Sequence, residues 1–161
     1  MKNFLLKVLN FIKLSQNFQE HNFLGNILDK IFFATQFMPL FDFDSCNSLY
    51  LKNQNSINDS SSFEEILNNS LLFSFYDELG LIGCVYFYPK NEKLFCNAFS
   101  RRHSHLKNLL CFDFAINCFD CDIYAYSDKK TAILVLLKSN FKKIKNNLFI
   151  HKYNPNRIGA I

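Results

Sequence analysis

Between residues 71 and 99 the chain alternates short apolar runs with compact polar breaks. Aromatic and aliphatic residues fill 71–76, 81–88 and 93–99, and Asp77-Glu78-Leu79-Gly80 and Pro89-Lys90-Asn91-Glu92 separate them. Short runs of this composition, divided by turn-forming residues, predict three β-strands. A parallel crossover needs about a dozen residues, so connections this short make the strands antiparallel neighbours in a meander.

The period then changes. Leu106, Leu109, Leu110, Phe114 and Ile116 fall at helical spacing and predict a helix over 103–119, followed by a strand at 121–126, a helix at 129–138 and strands at 141–144 and 148–153. The order is βββαβαββ, the mark of a mixed α+β class. Upstream, Phe4, Leu5, Val8, Leu9 and Ile12 form an apolar stripe with Lys2, Lys7 and Lys13 outside it, which predicts an amphipathic helix over 3–17. A second helix is expected over 22–37. A basic, apolar helix can lie on a membrane surface, but two in succession more often pack on each other or on the domain beside them. Residues 39–62 read as a connector with at most a strand around Leu49, Tyr50 and Leu51. A short helix through Phe63, Ile66 and Leu67 should follow, because the Ser and Asp residues before it can accept bonds from its first amides, and Glu64 and Glu65 suit its dipole.

Bulk properties narrow the classes. A chain of 161 residues, 49% hydrophobic with 20 Phe and no Trp, is one domain with an aromatic core. The net charge of +4 is spread along the chain and not gathered on one segment, which argues against dedicated nucleic-acid binding. Lys7, Lys13, Glu20, Asp29 and Lys30 interrupt the apolar N-terminal third, so nothing reaches the roughly 20 residues an integral membrane helix needs. The six cysteines and the lack of secretory-signal features predict thiols in a cytoplasmic protein. Cys118 and Cys121 have zinc-like spacing without a second pair, so they are expected as small buried hydrophobes and no metal is assigned. His103 and His105, two apart, point in different directions on a helix and make a poor metal pair. Asp77, Glu78 and Asp113 read as ordinary turn or surface carboxylates, and His151 as a strand residue.

Three local sequences carry a resemblance. Gly80-Leu81-Ile82-Gly83-Cys84-Val85-Tyr86 puts a Gly after a turn and an Ile-Gly pair on the next strand. Arg101-Arg102-His103-Ser104-His105-Leu106-Lys107-Asn108-Leu109-Leu110 opens on Arg and ends on Leu-Leu. The most specific, Lys129-Lys130-Thr131-Ala132-Ile133-Leu134-Val135-Leu136-Leu137-Lys138-Ser139-Asn140-Phe141, is similar to Asn-x-x-Ala-Ile-x-Leu-Tyr-x-Lys-x-Gly-Phe. In this order, on this topology, they resemble a divergent member of the GNAT superfamily of N-acetyltransferases.

The resemblance implies a mostly antiparallel GNAT-like sheet with flanking helices, preceded by an N-terminal helical segment. It implies a single domain over 1–161, with an N-terminal segment and connector at 1–62, an acyl-CoA-binding half at 63–153 and a polar tail at 154–161. In the family, main-chain amides of the loop ahead of the long helix hold the CoA pyrophosphate. Carried over, that loop makes Arg101, Arg102, His103, Ser104, His105 and Lys107 the phosphate-side residues for acetyl-CoA as cosubstrate. The splayed fourth and fifth strands polarise the thioester, which points to the backbone of Asn97, Ala98 and Phe99. Leu136 replaces the Tyr that protonates the departing thiolate in many members, so Tyr124 and Tyr126 are the replacement candidates, with Tyr153, Cys121 and Ser127 behind them.

Two readings stay open. One is an acyl-CoA-dependent N-acyltransferase whose unidentified amine acceptor is set by the N-terminal 60 residues. The other is a GNAT-like structural or interaction module without activity, of the kind familiar in bacteriophages and mobile elements, with a protein partner or a homodimer. The architecture and the third motif support the first, which is the leading reading, and Arg102, Ser104 and Leu106 in place of glycines or a small residue, together with Leu136, support the second.

Overall fold

The computed structural model describes residues 31–57 and 60–155. Its elements are β1 (Phe32–Thr35), α1 (Phe43–Ile57), α2 (Phe63–Asn69), β2 (Leu71–Asp77), β3 (Gly80–Lys90), β4 (Lys93–Ser100), α3 (His105–Asn117), β5 (Ile123–Tyr126), α4 (Lys130–Lys138), β6 (Lys142–Lys145) and β7 (Leu148–His151). From α2 onward every expected element is present within a few residues of its expected bounds.

Two upstream expectations fail. In the described part of the helix expected over 22–37 the chain is a strand, β1, paired antiparallel with β2 from Phe32↔Tyr76 to Thr35↔Phe73. A short apolar run such as Ile31-Phe32-Phe33-Ala34 fits helix or strand equally by pattern, and an open sheet edge decides between them. Gln36 fastens the end of β1: its Nε2 donates to the Ser70 carbonyl at 2.6 Å and its Oε1 accepts from the Leu72 amide at 2.9 Å. The connector expected over 39–62 holds the 15-residue helix α1. Asp42 caps it, accepting from the Ser45 amide at 3.0 Å and the Ser45 hydroxyl at 2.6 Å. Cys46 and Tyr50, one turn apart, are its buried residues. The helix expected over 3–17, residues 22–30 and the tail from 156 lie outside the described residues.

The expected α2 forms around a reciprocal cap. Ser62 Oγ accepts from the Glu65 amide at 3.2 Å, and Glu65 Oε2 accepts from the Ser62 amide at 2.7 Å. At the end of α4, Asn140 takes φ +61 where glycine is the usual choice. The Phe141 amide donates to the Leu136 carbonyl and the Asn140 amide to that of Leu137, at 2.9 and 3.2 Å. These are the two bonds of a Schellman stop, and Leu136 and Phe141 share one core.

The seven strands form one sheet in the order β1-β2-β3-β4-β5-β7-β6. All neighbours are antiparallel except β4 and β5. Successive strand residues face opposite sides, and both faces are covered over the centre. Phe73, Phe75, Val85 and Phe87 pack with Phe112, Ala115 and Ile116 of α3 and Leu136 of α4. On the other face Leu72, Cys84, Tyr86 and Phe99 meet Cys46 and Tyr50 of α1 and Phe63 and Ile66 of α2. Two-sided burial explains why these strands read as near-continuous apolar runs. Each fully buried Phe contributes about 2–3 kcal/mol over exposure.

Candidate functional site

The parallel junction sets the site. β4 and β5 pair only at Leu94↔Ile123 and Phe95↔Tyr124. Beyond that point β5 keeps to β7, through Ala125↔Phe149 and Tyr126↔Leu148, while β4 runs on beside β3 to Ser100. The two strands diverge, and a wedge opens beside residues 96–100.

Ladder phase tells which amides face the wedge. The Arg101 amide donates to the Ile82 carbonyl at 2.9 Å, and the β3–β4 register runs unbroken through Gly83↔Ser100, Cys84↔Phe99, Val85↔Ala98 and Tyr86↔Asn97. Backbone groups alternate in direction along an antiparallel strand. Phe99 and Asn97 therefore turn their amides to β3, and Ala98 turns its amide to the wedge. Of the three backbone positions drawn from the resemblance, Ala98 is the one oriented for a ligand there. Its N–H donates to Oδ1 of Asn97 at 2.9 Å.

Close approach explains Gly83. A Cβ built on it would lie 2.7 Å from the Phe99 carbonyl oxygen and 2.7 Å from Ser100 Cβ. The Ile-Gly strand of the first motif is thus required by the path of β4 into the loop that follows.

That loop, 101–104, leads into α3. His103 takes φ +66, a left-handed conformation that carries the turn without glycine. Arg102, His103, His105 and Leu106 are exposed around it. Arg101 and Lys107 are not: the Arg101 guanidinium and, at 2.8 Å, the Lys107 ammonium both donate to Oδ2 of Asp77. The Asp77 side chain is fully buried, and its Oδ1 accepts from the Leu79 amide at 2.9 Å. Burial raises the Asp77 carboxyl, but the bonds from Lys107, Arg101 and Leu79 outweigh it and hold the carboxyl below its ordinary value. Arg101 also donates through Nε to Ser104 Oγ at 3.1 Å. Ser104 therefore places no side-chain cap on the first turn of α3.

A cleft of about 460 Å³ lies over the sheet next to the wedge. Tyr86 and Tyr88 of β3, Asn97 of β4 and Tyr126 at the end of β5 line it, with Ile57 of α1 and Glu65 of α2 opposite. Asp128 and Lys90 add charges of both signs. Tyr126 stacks on Phe95 with centroids 5.4 Å apart and planes 9° from parallel, and remains 57% exposed. Tyr124 lies beside the same Phe95 at 5.5 Å, under the Lys93 ammonium at 4.9 Å, outside the cleft lining. Of the two tyrosine candidates the cleft thus receives Tyr126. Leu136 is buried against the sheet, and Ser127 lines the cleft. Tyr153 sits by Asp122, its amide donating to Oδ1 at 2.9 Å. Cys118 and Cys121 pack against the core. No helix among the described residues is long and apolar enough to cross a membrane.

Sequence reasoning missed Asp77 as the clamp of the loop, and α1 and Glu65 as walls of the cleft. A signal for α1 was present in Asp42 three residues ahead of Ser45 and in the Cys46–Tyr50 spacing. Nothing local marked Asp77, whose partners lie 24 and 30 residues downstream.

Sheet order, parallel junction, wedge and helix placement together define a GNAT-like α+β fold. No family model and no curated protein matches the sequence. Among solved structures, a GNAT family acetyltransferase from Elizabethkingia anophelis with acetyl-CoA bound is similar in fold, with a TM-score of 0.53 and 14% identity, covering 78% of this chain and 99% of that one.

Proposed function

We propose that this chain is an acyl-CoA-dependent N-acyltransferase that moves an acetyl group from acetyl-CoA to an amine held in the cleft. The observation that carries the reading is the wedge between β4 and β5, with the Ala98 amide facing it beside an aromatic cleft. A thioester carbonyl in the wedge would gain polarisation from that N–H as negative charge develops on its oxygen. The Tyr126 phenol is the proton donor for the departing thiolate, and Glu65 or Asp128 takes the proton of the acceptor ammonium. The uncapped first turn of α3 faces the CoA phosphates, with Arg102, His103 and His105 around it. Arg101 and Lys107, held by Asp77, shape this loop. Residues 63–153 supply the acyl-CoA half, and α1 brings residues of the N-terminal 62 to the acceptor side. The setting proposed is the cytoplasm.

The commitment of two loop cations to Asp77 and the core position of Leu136 favour a second reading, an inactive interaction module with a protein partner or a homodimer. Calorimetric titration with acetyl-CoA separates the two. Micromolar affinity, about 8 kcal/mol, that weakens in the Arg102→Ala, His105→Ala double variant supports the transferase, and no binding selects the module. Once an amine acceptor is found, Tyr126→Phe should lower kcat by about 100-fold or more with little change in KM, and Tyr124→Phe should leave both near normal.

A further inference from the structure

Asn97 joins two parts of the molecule that the proposed reaction must bring together. Its Oδ1 accepts the bond from the Ala98 amide, the backbone donor that faces the wedge. Its Nδ2 donates at 3.2 Å to the carbonyl of Ile57, forty residues earlier. Ile57 is the last residue of α1, where carbonyls have no partner within the helix. The same side chain lines the cleft between Tyr86, Tyr88 and Tyr126. One planar carboxamide therefore spans from the donor-facing amide to the helix that walls the acceptor side.

We propose that Asn97 is a displaceable latch that couples loading of the acyl donor to the acceptor side of the cleft. The inference rests on the transferase reading above. An N–H directed into the wedge has one proton to share, so a ligand carbonyl and Asn97 Oδ1 compete for it. When the ligand takes it, the carboxamide must turn. Because the group is rigid, Nδ2 turns with Oδ1 and leaves the Ile57 carbonyl. The last turn of α1 loses that tie, and the Asn97 oxygen becomes an acceptor inside the cleft, suited to an ammonium. The order of events follows: acyl donor first, amine second.

The test uses the whole chain and acetyl-CoA as the probe. Asn97→Ala leaves the Ala98 amide without a competitor and should tighten acetyl-CoA binding by about two- to tenfold, the worth of one exchanged hydrogen bond. Asn97→Asp keeps a stronger acceptor on that amide and should weaken binding by a similar factor. A side chain that served only to hold the fold would shift both variants the same way. Hydrogen exchange supplies the second readout: acetyl-CoA should speed exchange over residues 53–57, the last turn of α1, in the parent, and in Asn97→Ala these amides should exchange fast before ligand is added. Asn97→Ser replaces the Ala variant if that one does not fold. Equal affinity in parent, Ala and Asp variants overturns the latch and leaves the transferase reading standing. No binding by any of the three overturns that reading and the latch with it.

Discussion

Asp77→Asn tests how the loop before α3 is held. The substitution keeps the size of the side chain and its bond to the Leu79 amide but removes the charge that Arg101 and Lys107 share. Removing one member of a buried ion pair costs about 3–5 kcal/mol, because the partner charge stays buried and unpaired. Here the Arg101 and Lys107 side chains are 23% and 19% exposed, so water recovers part of that loss and about 2–3 kcal/mol remains. For a domain of this length that lowers Tm by about 5–10 °C at neutral pH.

The sign with pH follows from the carboxyl. Its folded-state value lies below the ordinary one, so its contribution to stability is complete above the unfolded value of about 4 and disappears as pH falls through the lower, folded value. Thermal melts of parent and variant, followed by circular dichroism from pH 7 downward, should differ at pH 7 and converge below about pH 4. Coincident melts at pH 7, or a gap that persists undiminished in acid, would show that the clamp does not stabilise the loop through charge.

Gly83→Ala should cost about 1–3 kcal/mol and lower Tm by about 3–10 °C, because the added Cβ meets backbone of β4 that the sheet holds in place. A melt unchanged from the parent would refute the close approach. Leu136→Tyr, which puts at this position the residue of the pattern the segment resembles, should destabilise by about 1–3 kcal/mol and add no activity, because position 136 faces the packed core; gain of turnover would refute that placement. In the native protein a water-soluble thiol reagent should leave Cys46, Cys84, Cys96 and Cys111 unmodified until denaturant is added. Burial pushes the Cys111 and Cys118 thiols up to about 12, so the half-buried Cys118 should label slowly at neutral pH and faster as pH rises, as mass spectrometry of early time points would show.

The half of the fold from residue 63 onward was legible because its signals are local. Turn residues 77–80 and 89–92 allow no crossover, Ser62 and Glu65 cap one helix, and Asn140 stops another; each works through neighbours within a few positions. Upstream the determinants are distant. Phe32 to Thr35 become a strand because β2 offers an edge about 40 residues later. α1 shows one buried Cys and one buried Tyr among Ser, Asn and Lys, an apolar period too sparse to stand out. The site divides the same way. The 101–107 loop became a candidate by alignment with a pattern and Tyr126 by its place on the strand before α4, whereas the contacts of Asp77, Glu65 and Ile57 exist only after folding.

The same distinction explains how the chain carries a GNAT-like backbone without the family's glycines. A glycine can serve a left-handed turn, a close approach or an open surface for a ligand. His103 and Asn140 supply the first in the loop and at the end of α4, and Gly83 supplies the second where β3 meets β4. The third is the need the chain has traded: Arg102 and Leu106 present side chains around the start of α3, and Arg101 and Lys107 turn inward to Asp77. An anion arriving there would meet main-chain donors, the exposed Arg102 guanidinium and the exposed imidazoles of His103 and His105. Its affinity should therefore fall with salt more steeply than in a site built from glycine and buried amides, since exposed charges are the ones that ions screen.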